Sequence, residues 1–233
     1  MADSTSHAAD AERSAVAGSL KSTAMSALPM RRETKRPTID VAALPPGAFG
    51  YRSLMWWGTV GVMLIEGAAF ALAIAAYFYF SARSPRWPPD GVAPPMLFWG
   101  GLNTVVLLAS AMPNELAKRA AERIDLGATR FWLVVCMVFG VGFNAIRALE
   151  FTALNVRWDR DAYGSIVWLL LGLHTTHILT DVLDTGVLTA LMFIGPIEER
   201  RFVDVSENSI YWYFVVGAWL PIYGVLYWAP RLI

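Results

Sequence analysis

The stretch LGLHTTHILTDVLD, Leu171 to Asp184, holds two of the chain's three histidines and two aspartates within an apolar run. His174, His177, Asp181 and Asp184 lie three, four and three residues apart, so a helix sets all four on one face. Imidazoles and carboxylates at that spacing suit a metal site, a proton path or a hydrogen-bonded seam between helices. Ionisable groups at membrane depth are costly and usually face a bundle interior, which makes each a functional hypothesis.

Three more ionisable residues share this setting. Glu66 sits in the middle of GVMLIEGAAFALAI, where it reads either as a proton-handling or lipid-contacting carboxyl or as a carboxyl hydrogen-bonded across a helix contact. Arg147 and Glu150 lie one helical turn apart in GVGFNAIRALEF and can pair with each other. Counted at ~1.5 Å per residue from the turn near 155–164, Arg147 lies about 12 Å deep and His174 about 15 Å. Arg147, Glu150, His174, His177 and Asp181 therefore define a polar seam between two antiparallel neighbours. Asn103 and Thr104 read as residues that hydrogen-bond across a helix contact.

Metal binding remains open on spacing alone. The histidine pair could share an ion with Glu150, Asp181 or Asp184. Di-iron bundles, however, use several Glu residues and paired Glu-x-x-His motifs, and here no Glu precedes a His by three residues. Haem needs only one or two histidines, which keeps a stand-alone membrane metalloprotein built on His174 and His177 as a rival. A small channel or transporter using the seam as an ion path is another. The chain shows no internal repeat, which speaks against an inverted-repeat transporter, and no P-loop, GxSxG or HExxH pattern.

The elements that must position these residues are apolar and long. Of the 233 residues 56% are hydrophobic and 16% charged, which points to an integral membrane protein. Zero formal net charge argues against nucleic-acid binding. A single cysteine, Cys136, excludes a disulfide framework. Five segments, near 54–80, 96–115, 131–155, 164–194 and 209–229, are long enough to cross a bilayer, which takes roughly 20 helical residues. The fold class expected is an all-α bundle of five transmembrane helices spanning 51–233. SPRWPPDGVAPP (84–95) breaks any helix, NELAKRAAERID (114–125) extends the second helix into water, NVRWDRDAYG (155–164) reads as a turn and GPIEERRFVDVSEN (195–208) as an exposed loop. Residues 1–50, rich in Ala, Ser, Thr and Pro without an apolar period, read as a disordered tail with no secretory signal.

Lys and Arg residues number thirteen on one side of this topology and five on the other, with Arg147 inside a span. The excess places the N-terminus inside and the C-terminus outside. Trp56, Trp57, Tyr77, Tyr79, Trp132, Trp158, Tyr211 and Trp228 stand near span ends, where an interfacial aromatic belt belongs.

These motifs together resemble subunit III of the haem-copper cytochrome oxidases, over about residues 53–229. WWGTVGVMLIEGAAF with AAYFYF resembles the family's helix of tryptophan-rich start and buried Glu, by position Glu66. GGLNTVVLLAS resembles its Leu-Asn-Thr helix, and FGVGFNAIRALEF one that often reads Gly…Phe…Gln-x-x-Glu-Tyr/Trp. YGSIVWLLLGLHTTH is similar to Tyr-Gly-Ser followed by Thr-Gly-x-His-Gly-x-His-Val, and YWYFVVGAWLPIYGVLYW to the closing Tyr-Trp-His-Phe-Val-Asp…Trp helix. The chain departs at Arg147 (Gln in the family), Leu171 (Thr), Thr175 (Gly), Tyr213 (His) and Val216 (Asp), so its polar seam is rewired.

The resemblance implies a five-span, bacterial-type subunit of a respiratory complex, in the inner membrane with a cytoplasmic N-terminus and a periplasmic C-terminus. It implies no catalytic residue, metal or redox centre in this chain. Haem and copper would lie in subunit I, with subunit II in the same complex and phospholipid bound. Its role would be assembly, lipid binding and support of proton uptake by a cytochrome c or quinol oxidase; an accessory subunit of a nitric-oxide-reductase-type complex is the alternative.

Overall fold

The computed structural model describes residues 49–232; the tail expected over 1–50 falls almost wholly outside them. Among the described residues five long helices follow one another and there is no strand. They are α1 (Leu54–Arg83), α2 (Leu97–Glu122), α3 (Leu126–Thr152), α4 (Ala162–Ile194) and α5 (Glu199–Tyr223). A π-helical turn, Gly224–Trp228, continues α5 into a short α6 (Ala229–Leu232).

Local chemistry starts the helices where the charges and prolines indicate. The Ser53 hydroxyl accepts from the Met55 N–H at 3.1 Å and opens α1. Asp125 caps α3 through the Ala128 N–H at 3.0 Å, and Asp161 caps α4 through the Gly164 N–H at 2.7 Å. Each cap supplies an oxygen to a backbone donor that has no partner in the first turn. In the turn between α3 and α4 the Arg157 guanidinium hydrogen-bonds Asp159 and holds that carboxyl below its usual range.

Helices α2, α3, α4 and α5 form a ring in which each touches the next and α5 returns to α2; α1 lies outside the ring against α4 and α5. Two close approaches depend on glycine. A Cβ on Gly140 would stand 2.5 Å from Val182, and one on Gly100 would stand 2.4 Å from the Tyr227 ring. Aromatic and branched side chains fill the interior, among them Leu107, Phe143, Leu170, Ile178, Trp219 and Ile222.

Four helices are long and apolar enough to cross a membrane: α1, α3, α4 and the continuous stretch from Glu199 to Leu232. The remaining one, α2, is the most interrupted by polar residues, and Asn103, Ser110 and Asn114 are buried against its neighbours. Its polar end continues as helix to Glu122, as NELAKRAAERID suggests.

The expected loop 195–208 is corrected: helix resumes at Glu199, ten residues before the expected span. Phe202, Val205 and Ser209 are buried at helical spacing, and Phe202 and Val205 pack with Ala121, Leu133 and Met192. Of the charged residues that suggested a loop, Glu198, Glu199 and Arg200 are exposed, Arg201 and Asp204 half-buried and Glu207 buried. The aromatic belt is corrected at two positions. Tyr77 is fully buried and packs edge-on against Trp87, and the Tyr211 hydroxyl points inward to Glu66. Trp57, Tyr79, Trp158 and Trp228 are exposed, as a belt requires.

Candidate functional site

The residues of the expected seam are drawn into three distinct polar groups. The first joins α2, α3 and the end of α5. Arg147 Nη1 donates to Glu150 Oε2 at 2.8 Å, and both side chains are almost wholly buried. The same carboxylate accepts from Asn103 on α2 and from the Tyr227 hydroxyl on the π turn. With three donors converging on it, the Glu150 charge is well compensated.

Arg147 is also held by aromatic faces. Its guanidinium carbon lies 4.2 Å from the Trp219 ring centroid and 5.0 Å from that of Phe143. Such contacts replace part of the hydration a buried cation loses. The Trp219 N–H donates to Thr104 at 2.8 Å. Asn103 and Thr104 thus make the cross-helix bonds expected of them.

His174 belongs to this group through Trp219, whose ring centroid is 4.9 Å from the imidazole. Its Nε2 lies 3.1 Å from the Val215 carbonyl oxygen. A carbonyl only accepts, so Nε2 carries the proton. His174 and Arg147 therefore do share one depth, and an aromatic side chain from α5 joins them.

The second group lies between α1, α4 and α5. Glu66 Oε2 accepts from the Tyr211 hydroxyl at 2.7 Å, and Oε1 lies 3.4 Å from His177 Nε2. His177 Nδ1 is 2.6 Å from the Leu173 carbonyl oxygen and must donate to it. The remaining approach sets the Glu66 carboxyl beside the edge of the His177 ring. The Phe70 ring, centred 5.0 Å from the His177 ring, closes one side.

Asp181 forms the third group. It is buried between α4 and α5, and its Oδ1 makes no hydrogen bond to the protein. One and two helical turns separate it from His177 and His174, yet neither imidazole pairs with it. Asp184 is exposed, so the stripe of four fans out: His174 into the ring, His177 toward α1, Asp181 between two cavities and Asp184 at the surface. Among the described residues no three His, Cys, Asp or Glu side chains come together as a metal-ligand set.

Sequence spacing did not reveal the partners on the last helix: Tyr211, Trp219 and Tyr227. They recur every eight residues, a spacing that at ~3.6 residues per turn rotates each about 80° from the one before, so they face different neighbours. What the spacing could not give is which acid each hydroxyl would meet.

The comparisons with known proteins fit this arrangement. The family model described as cytochrome c oxidase subunit III matches residues 51–230, which is every long helix of the bundle. The chain is 24% identical over 182 residues to cytochrome c oxidase subunit 3 of Synechocystis, covering 78% of each chain. It is 31% identical over 188 residues to the probable cytochrome c oxidase subunit 3 of Mycobacterium bovis, covering 73% of this chain and 85% of that one. A fungal relative, cytochrome c oxidase subunit 3 of Emericella nidulans, is 26% identical over 177 residues, covering 72% and 66%. A match that takes in the Glu66 helix, the Arg147–Glu150 helix and the histidine helix in one span places this chain in the cytochrome c oxidase subunit III family.

Proposed function

We propose that the chain is a membrane subunit of a haem-copper oxidase complex that carries no redox centre of its own. It associates with other oxidase subunits and serves electron transport to oxygen by assembling and sustaining the complex. The family match over residues 51–230 is the observation that carries this reading. The relatives described above bear the cytochrome c oxidase name, which favours it over a nitric-oxide-reductase-type complex. The dispersal of His174, His177 and Asp181 into separate groups disfavours a stand-alone metalloprotein.

Within that role we propose finer assignments. The chain packs its helices directly against subunit I, with subunit II in the same assembly and haem and copper held by those partners. The exposed apolar side of α1, including Leu64, Ile65 and Leu72, offers surface to phospholipid and to a neighbouring helix. Glu66, which meets Tyr211 and His177, supports proton uptake by subunit I. The protein is multi-pass in the bacterial inner membrane, N-terminus cytoplasmic and C-terminus periplasmic.

Purification of the tagged chain from native membranes tests the central claim. The expected result is a coloured complex containing a haem-copper subunit I. A chain that comes down without any haem protein, under conditions that keep other respiratory complexes whole, overturns it.

A further inference from the structure

Asp181 stands between two spaces that the roles above do not use. On one side is an open groove of about 590 Å³ between α1, α4 and α5, whose acidic end holds Asp184, Asp204 and Glu207. On the other is a small chamber of about 20 Å³ inside the ring, whose lining includes Ser110, Asn114, Thr185 and Asn208. Asp181 and Asn208 line both.

The chamber is of the size and chemistry that hold one water. By this measure of volume a water needs roughly 10–15 Å³ and two to four polar partners. The walls provide them: hydroxyls of Ser110 and Thr185, amides of Asn114 and Asn208, and the Asp181 carboxyl. Several of these groups also tie the helices together. Trp212 Nε1 donates to Ser110 Oγ at 3.0 Å, Asn114 Nδ2 to the Ser209 carbonyl at 3.0 Å, and Asn208 Nδ2 to Thr185 Oγ1 at 2.7 Å. Asp181 differs from them. It is 3% exposed, and its Oδ1 has no protein partner. A buried carboxyl oxygen without a partner is costly and is satisfied by water where the space allows.

We propose that Asp181 is a water-bridging, proton-exchanging carboxyl that joins the groove to a single-water chamber inside the helix ring. Water at the acidic end of the groove gives a proton to one carboxyl oxygen, and the other oxygen releases one to the chamber water. The reverse exchange restores the start. Only O–H bonds form and break, and no co-reactant is needed. The other titratable groups facing Asp181 are Asp184 on its own helix and Cys136 on α3. From α5 come Arg201, which pairs with Asp204 at 3.7 Å, and Asp204, Glu207 and Tyr211, with Glu66 of α1 behind Tyr211. Helix α2 presents Ser110 and Asn114 to the chamber and Lys118 toward Glu207. The inference does not rest on the role of Glu66.

Infrared difference spectroscopy of the purified complex mixed into D2O reads the exchange directly. A carboxyl C=O band that is absent in D181N should shift promptly on mixing, long before the core amides exchange. Gly58 lines the groove and no atom lies within 4 Å of where its Cβ would stand, so G58W has room to begin an indole side chain at the groove. G58W should slow the band's exchange by about tenfold, the factor set by ~1.4 kcal/mol of added barrier. Loss of no exchanging band in D181N overturns the proposal. So does a band that exchanges no faster than core amides, or at the same rate in G58W and wild type. If D181N fails to assemble, isotope-labelled aspartate in wild type and G58W gives the same reading. E66Q should leave the Asp181 band and its rate unchanged even where it alters turnover, so the two roles fail separately.

Discussion

Removing the Arg147 side chain strips Glu150 of its cation while Asn103 and Tyr227 still donate to the same carboxylate. Leaving a buried charge without its counter-ion costs about 3–5 kcal/mol, so Arg147→Ala should lower the thermal unfolding temperature of the purified subunit sharply. Arg147→Gln keeps an amide donor on the same helix turn as the carboxylate. It should lose clearly less stability than the alanine variant in the same melt. Equal losses would show that the aromatic packing of the guanidinium, on Phe143 and Trp219, outweighs its pairing. At Glu66 the expectation is different. Glu66→Gln keeps an acceptor for Tyr211 but removes the ionisable carboxyl that faces His177. Assembly should survive, while proton uptake coupled to turnover, or the number of turnovers before inactivation, changes. A complex unchanged in both respects would remove Glu66 from the proton path.

The helix contacts make sharper demands than the apolar pattern suggests. Gly140→Ala pushes a methyl into Val182, and overpacking of this kind costs about 1–3 kcal/mol. Adding Val182→Ala should recover part of that loss, with a coupling of roughly 0.5–3 kcal/mol in a double-mutant cycle. Additive losses would place the strain elsewhere. Tyr227→Phe, which keeps the ring but removes one donor from Glu150, should cost about 1–3 kcal/mol. The element order and the start of α1 were legible in the sequence; α3 and α4 begin five and two residues before their expected spans, at the Asp125 and Asp161 caps. Apolar run length and a capping side chain are local signals. The start of α5 was not, because Glu198, Glu199, Arg200 and Arg201 look like a loop until Ala121, Leu133 and Met192 cover Phe202 and Val205. The same limit applies to the site. Arg147 with Glu150 is a one-turn pair that spacing reveals. Tyr211 with Glu66 and Tyr227 with Glu150 join residues 145 and 77 positions apart, and only the packed bundle brings them together.

Seen as a whole, the bundle has two ends whose connections alternate. The α2–α3 and α4–α5 junctions meet at one end, where Arg130 Nε donates to the Met192 carbonyl and Ser206 to Glu122. The α1–α2 and α3–α4 connections lie at the other, where Arg231 reaches the Pro95 carbonyl. In a background lacking Cys136, Arg160→Cys should react with a membrane-impermeant thiol reagent added to intact cells. Arg200→Cys should react only after the inner membrane is opened. The reverse pattern would invert the proposed orientation. The π turn at Gly224–Trp228 carries one further implication for the lineage of this fold. A π turn spends an extra residue, which α-helical hydrogen bonding would not require. Here the extra residue swings Tyr227 past the bare backbone of Gly100 onto Glu150. A one-residue insertion into an α-helix would produce such a turn. A homologue that closes its Glu150 counterpart by other means should be one residue shorter between the positions of Trp219 and Trp228. In an alignment that gap would show up beside a larger side chain at the position of Gly100.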